Sequence, residues 1–268
     1  MDERRLLCVL AHPDDESLGT GGILARYAAN GVATSILIAT RGERGWPGNP
    51  DTYPGPQALG CLREAELRAA AAALGVRTVG LLDYPDGELD RVDPAEAIER
   101  IADQIRRIRP QVVVTFAPDG ATGHPDHIAI SQYTTAATVA AADGSRALAV
   151  DPPPHRVAKL YYLVYSRVQA ETYQSVFGDT SMTVEGERRS VTPWPDWAIT
   201  TRIDATAHWR RVWAAVSCHQ TQIPDTSSLA RLPAETHRAL WGRQEFYRAF
   251  SLVNGGRTVE DDLFAGLS

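Results

Sequence analysis

The sequence predicts an α/β fold: a Rossmann-like, mainly parallel sheet with helices on both faces and a C-terminal extension wrapping that core. Three observations predict it. Apolar runs of six to nine residues alternate with stretches of helical length over residues 4–166. The runs stay apolar at successive positions, as strands buried on both faces do. Glycine and proline mark the breaks between them. At 268 residues, with 44% hydrophobic and 22% charged residues, the chain suits one domain, with an α/β core over about 1–166 and residues 167–268 packed on it.

Each element has its own signal. RRLLCVLA (4–11) reads as the first buried strand. A helix is expected from about Ser17 to Asn30, stopped by Gly31. VATSILIAT (32–40) is the second strand. The stretch 41–57 carries four prolines and four glycines and must be a loop, long enough to suggest a working one. A helix from Ala58 to Leu74 ends at Gly75, and RTVGLL (77–82) is the third strand. Asp93-Pro94-Ala95-Glu96 starts a helix, with a capping side chain, proline in the first turn and an acid at its third position. That helix runs to about Arg109. QVVVTFA (111–117) is the fourth strand, HPDHIAISQYTTAATVAAA opens another helix, and KLYYLVYS (159–166) is the fifth strand. Beyond Ser166 the pattern fades. VTPWPDWAIT (191–200) reads as a surface excursion, and helices are expected near 206–219 and 233–250.

Composition excludes some function classes. A formal net charge of −6 argues against nucleic acid as a partner. No window approaches eighteen apolar residues, so no membrane span is expected. The start of the chain lacks the apolar core of a signal peptide. Cys8, Cys61 and Cys218 are widely spaced and read as reduced thiols, which suits the cytoplasm. A homo-oligomer is compatible with all of this.

The chemistry is concentrated in two strings. AHPDDESLGTGG, beginning at Ala11, places His12, Asp14, Asp15 and Glu16 directly after a buried strand. Such groups are costly there unless a cation, a substrate or one another pairs with them. GHPDH (123–127) follows the fourth strand. In open parallel sheets, ligands bind beyond the carboxyl ends of strands, where strand order reverses. The two strings should therefore converge, although His12 and His124 are 112 positions apart. A lone histidine after a strand is ordinarily a core or surface residue, and acids at a helix start ordinarily answer its dipole. Here four of the seven histidines, counting His219, fall in such strings. The pooled His12, Asp14, Asp15, His124, Asp126 and His127 suit a divalent metal, and two imidazoles with one carboxylate form a common catalytic zinc arrangement. Such an ion lowers the pKa of water; an adjacent carboxylate then takes a proton and a histidine gives one to the leaving group. GTGG (19–22) lacks the spacing of a dinucleotide fingerprint and reads as a tightly packed turn.

Together the two strings resemble the LmbE-like (PIG-L) N-deacetylases, a family that includes the GlcNAc-phosphatidylinositol deacetylase and the deacetylases of mycothiol and bacillithiol synthesis. TRGERG (40–45), REAELRAAAAALGV (63–76), DYPDGEL (83–89) and HQTQ (219–222) support the resemblance, which covers most of the chain. It implies a zinc-dependent hydrolase that frees an amine and acetate from an N-acetylglucosaminyl small molecule. By the same resemblance His12, Asp15 and His127 would bind zinc, and Asp14 would be the general base. His124 would assist the tetrahedral intermediate and the departing amine, and Asp126 would orient an imidazole. Arg63 and Asp86 would hold sugar hydroxyls, with Glu43 in support. Trp46, in the long loop, has the chemistry to stack on a sugar, but ordinary packing is the expected role for it. One departure stands out: some relatives carry a tyrosine that polarises the carbonyl where this chain has Thr122. Two other enzymes remain open, a cysteine-S-conjugate amidase of the same family and a mononuclear Fe(II) oxygenase, since iron(II) accepts the same ligands. A sugar-binding module would need neither Asp14 nor His124.

Overall fold

In a computed structural model, residues 3–145, 152–179, 181–184, 186–223, 226–256 and 258–267 are described. The strands are β1 (Arg5–Leu10), β2 (Ala33–Thr40), β3 (Thr78–Tyr84), β4 (Val112–Phe116), β5 (Lys159–Val164), β6 (Met182–Val184), β7 (Glu187–Arg189), β8 (Thr201–Asp204) and β9 (Arg243–Ser251). The helices are α1 (Asp15–Leu18), α2 (Gly21–Ala29), α3 (Pro56–Leu74), α4 (Pro94–Ile108), α5 (Gly120–Gly123), α6 (Pro125–Ala140), α7 (Arg167–Phe177), α8 (Trp209–Val216), α9 (Thr226–Ala230) and α10 (Ala234–Trp241).

Seven strands form one mixed sheet in the order β3-β2-β1-β4-β5-β9-β8. The first five are mutually parallel, and β9 runs antiparallel to both of its neighbours, β5 and β8. The chain runs outward from β1 through β2 to β3, then returns to place β4 on the other side of β1. The β1–β4 seam is therefore the switch point, with Cys8 opposite Val114. Leu6 to Leu10 and Val112 to Val114 are fully buried, as their unbroken apolar runs require. Helices α4 and α6 pack together, while α2, α3 and α8 form a second group.

Three elements differ from the sequence reading. The helix expected over 17–30 is two helices with a break at Gly19 and Thr20. Gln244 holds the break open: its Oε1 accepts the Ile23 N–H at 2.7 Å and its Nε2 donates to the Gly19 carbonyl at 2.6 Å. A Cβ on Gly22 would lie 2.9 Å from Ala205 Cβ, so close packing accounts for that glycine. The helix expected over 233–250 ends at Trp241, and residues from Arg243 onward form β9. Phe246, Tyr247 and Phe250 mimic a helical spacing, but Gly242 lies too close to the Arg238 carbonyl to carry a side chain. The run then fills the open edge of β5. Finally, the tail does more than wrap the core, because β8 and β9 extend the sheet. Lys159 anchors this junction, buried with Glu260 at 2.8 Å and bonded to Tyr161.

Candidate metal centre

The two strings meet at the carboxyl ends of β1 and β4, in a cavity of about 530 Å³ lined by His12, Asp14, Asp15, His124 and His127. His12 Nδ1 is 3.2 Å from His127 Nε2 and 3.7 Å from Asp15 Oδ2; His127 Nε2 is 3.5 Å from Asp15 Oδ1. A tetrahedral ion with bonds of about 2.1 Å has ligand–ligand edges of about 3.4 Å, so these separations, each taken to one or other Asp15 oxygen, are of ligand size. Outer partners fix the lone pairs. His12 Nε2–H faces Asp126 Oδ2 and Asp86 Oδ1, each at 3.1 Å, leaving Nδ1 for an ion. His127 Nδ1–H donates to the Gly120 carbonyl at 3.1 Å, leaving Nε2. The His127 ring stacks on Phe116 at 4.0 Å. Histidines that ligate metals are oriented by such carboxylate and carbonyl partners.

His12, His124 and Asp126 form a second possible triad. It fits less well. Asp126 accepts the Gly87 and Leu89 N–H groups at 2.8 and 3.0 Å, and His124 Nδ1 accepts the Asp126 N–H at 3.1 Å. Both are already engaged in holding α6 and the 87–89 turn.

The electrostatics follow from this crowding. Burial disfavours a charged His12, but Asp126, Asp86 and Asp15 outweigh it and push the ring up to about 10. Burial first, and the His12 charge second, then hold His124 down to about 4 and His127 to about 3. A divalent ion would answer the same carboxylates and displace the His12 proton. Burial also raises Asp14, to about 6, against the pull of Arg63.

Asp14 has a φ of 110° and ψ of −30°, a conformation that costs a non-glycine residue on the order of 1–3 kcal/mol. Its surroundings impose it. Its carbonyl accepts from Ser17 and Leu18 at 3.0 and 2.9 Å. Arg63 reaches Asp14 Oδ2 at 3.1 Å and also donates to the carbonyls of Pro13 and Gly42.

Arg63, Asp86, Thr122 and Gln222 line the same cavity, but Trp46 is not among its lining residues. Trp46 Nε1 donates to the Asn49 carbonyl at 3.0 Å and its ring approaches Tyr53. Glu43 stands behind Asp86, with Oε1 accepting the Asp86 N–H at 2.9 Å. His219 is fully buried against Glu16, outside the metal triangle. The reading of the sequence missed Tyr165, Tyr173 and Phe116. The signal available was position: Phe116 ends β4, and Tyr165 directly follows β5, where strand ends face the cavity.

Residues 7–138 match the GlcNAc-PI de-N-acetylase (PIG-L) family. The chain is 38% identical to a 1D-myo-inositol 2-acetamido-2-deoxy-α-D-glucopyranoside deacetylase of Kineococcus radiotolerans, over 99% of this chain and 83% of that one. Among solved structures it resembles the conserved protein TT1542 of Thermus thermophilus (28% identity, TM-score 0.65, 93% of this chain and 96% of the other). It also shares its fold with GalB, the 4-carboxy-2-hydroxymuconate hydratase of Pseudomonas putida KT2440 (20% identity, TM-score 0.63, 94% and 99% covered). The fold therefore does not by itself fix the reaction.

Proposed function

The chain belongs to the PIG-L family of N-deacetylases, and on that premise we propose that it hydrolyses the N-acetyl amide of a glucosaminyl inositol, releasing the free amine and acetate. The carrying observation is a division of labour in one cavity. His12, Asp15 and His127 close a triangle of ligand size, while Asp14 and His124 line the same space outside it. Zinc held by that triangle would polarise the amide carbonyl and make water a better nucleophile.

The remaining work falls to the protein's own groups. Asp14 accepts the proton of the attacking water; with burial lifting it to about 6, it is a stronger base than an ordinary aspartate and still ionised at neutral pH. Arg63 fixes the carboxylate's direction. His124 accepts the Asp126 N–H at Nδ1 and, held neutral, keeps its proton on Nε2 to hydrogen-bond the tetrahedral intermediate, while Asp14 passes the proton taken from water to the departing nitrogen. On the β2–β3 side, Arg44, Asp86 and Gln222 offer polar groups to sugar hydroxyls. Where some relatives carry a tyrosine, this chain has Thr122, whose buried hydroxyl has no partner among the described residues, and Tyr165 borders the same cavity.

One observation favours a second reading. Leu18, Tyr165, Ala170, Tyr173 and Val191 give the opposite side of the cavity an apolar wall larger than an acetyl methyl needs. That wall suits a larger acyl group on the same amine, as in a cysteine-S-conjugate amide. The test is primary-amine release by zinc-loaded protein from N-acetylglucosaminyl inositol, from other N-acetylglucosaminides and from a bulky N-acyl glucosaminyl inositol. The deacetylase reading predicts fastest release from the first. Faster release from the bulky amide moves the assignment to the amidase, and release from none of them removes both.

A further inference from the structure

The late HQTQ string reaches three parts of the active centre at once. His219 Nε2 is 2.7 Å from Glu16 Oε1, with both side chains fully buried. Ser17 Oγ donates to the same Glu16 oxygen at 2.5 Å. The other carboxylate oxygen, Oε2, accepts the Asp14 N–H at 3.0 Å. Thr221 donates through N–H and Oγ to Glu66, one turn along α3 from Arg63, at 2.8 and 2.6 Å. Gln222 Nε2 donates to the Gly45 carbonyl at 2.7 Å in the long loop.

The first of these links has a consequence for Asp14. Its positive φ turns its N–H into the interior, where Glu16 meets it. Glu16 in turn is a buried carboxylate that stays in place because His219 and Ser17 hold its far oxygen. Leaving that carboxylate unpaired would be costly, so removing His219 would move or release Glu16. The Asp14 N–H would then lose its acceptor. We propose that His219 and Glu16 are positioning residues: they hold the strained Asp14 backbone so that its carboxylate, fixed by Arg63 on one side, faces the reacting water. The catalytic half of this proposal rests on Asp14 being the base in the proposed reaction; the backbone half does not.

The test compares His219→Leu with the conservative His219→Gln, whose amide can still donate to Glu16, and with Ser17→Ala as a milder disturbance. Displacements near 1 Å in an active site lower turnover by about 100-fold. His219→Leu should lose kcat on that order with KM and bound zinc unchanged, and His219→Gln should recover most of it. In the crystal structure of His219→Leu, Asp14 should leave positive φ. If His219→Leu is too unstable to purify, Ser17→Ala should show a smaller kcat loss with the same unchanged KM. A kcat equal to wild type, in a variant that merely melts earlier, would make the pair structural only and overturn the proposal. If wild type itself releases no amine, the reaction assignment fails, and Asp14's φ in the variant crystal still decides the positioning claim.

Discussion

The two His-Pro-Asp strings are near copies in sequence and opposites in structure. Each follows a parallel strand at the switch point, β1 or β4, and each puts its fourth residue, Asp15 or His127, into the candidate metal triangle. The first string does so through a strained turn, with Asp14 at positive φ and no side chain capping α1. The second does so through an ordinary helix start: His124 caps α6, Pro125 occupies its first turn, and Asp126 faces outward onto Gly87, Leu89 and the His12 ring. The third position of one string is thus a carboxylate in the cavity, and of the other a carboxylate behind the His12 ring. Backbone conformation separates the two third positions, and the four letters do not.

Substitutions can break this comparison, and the largest effect is expected where the strings agree. His127→Ala should abolish stoichiometric zinc and with it turnover, read by metal analysis after gel filtration. Full zinc in that variant would remove the fourth-position rule.

The third positions should separate. Asparagine tolerates positive φ as aspartate does, so Asp14→Asn should keep the turn and the metal while kcat falls by about 10²–10⁴. Asp126→Asn should instead weaken zinc binding or activity by about 10–100-fold through the His12 ring it braces. Equal phenotypes for the two would contradict the assignment.

The first position of the second string carries two jobs that can be pulled apart. His124→Ala should lose the helix cap, about 1 kcal/mol of stability in chemical denaturation, as well as turnover. His124→Asn should restore the cap and not the turnover. Recovery of activity by asparagine would mean that His124 is only a cap.

The smallest effect concerns protons. Without metal, His12 sits at about 10 and is protonated at pH 7, while a ligand ring must be neutral. Zinc uptake near pH 7 should therefore release about one proton per chain. Affinity should rise as pH increases from about 6 to about 8. Calorimetry in two buffers of different ionisation enthalpy checks the sign, and no release would contradict the carboxylate grip on His12.

Much of this was legible in the sequence because the informative signals are local. Largely apolar runs marked β1 to β5, with β3 half-exposed at the sheet edge, and the spacing of two polar strings after the first and fourth strands placed them together once the sheet order reversed between them. What was not legible depends on distant partners. Gln244 splits the first helix from 221 positions beyond Ile23. The 243–251 run has a helical spacing of aromatics and becomes a strand only because β5 has an open edge beside it. Arg63 and Asp86 both reach the cavity, and their hydrogen bonds to Asp14 and His12 are contacts that no spacing reveals. No described helix is long and apolar enough to cross a membrane, in keeping with the hydropathy of the sequence.

The most direct test of the metal triangle is anomalous diffraction at the zinc edge from crystals of the zinc-loaded protein. One strong peak per chain is expected, bound by His12 Nδ1, Asp15 and His127 Nε2, with Asp14 and His124 unligated. A peak held by His12, His124 and Asp126 instead would contradict it, because His124 and the carboxylate behind His12 would then have exchanged places with the metal's own ligands.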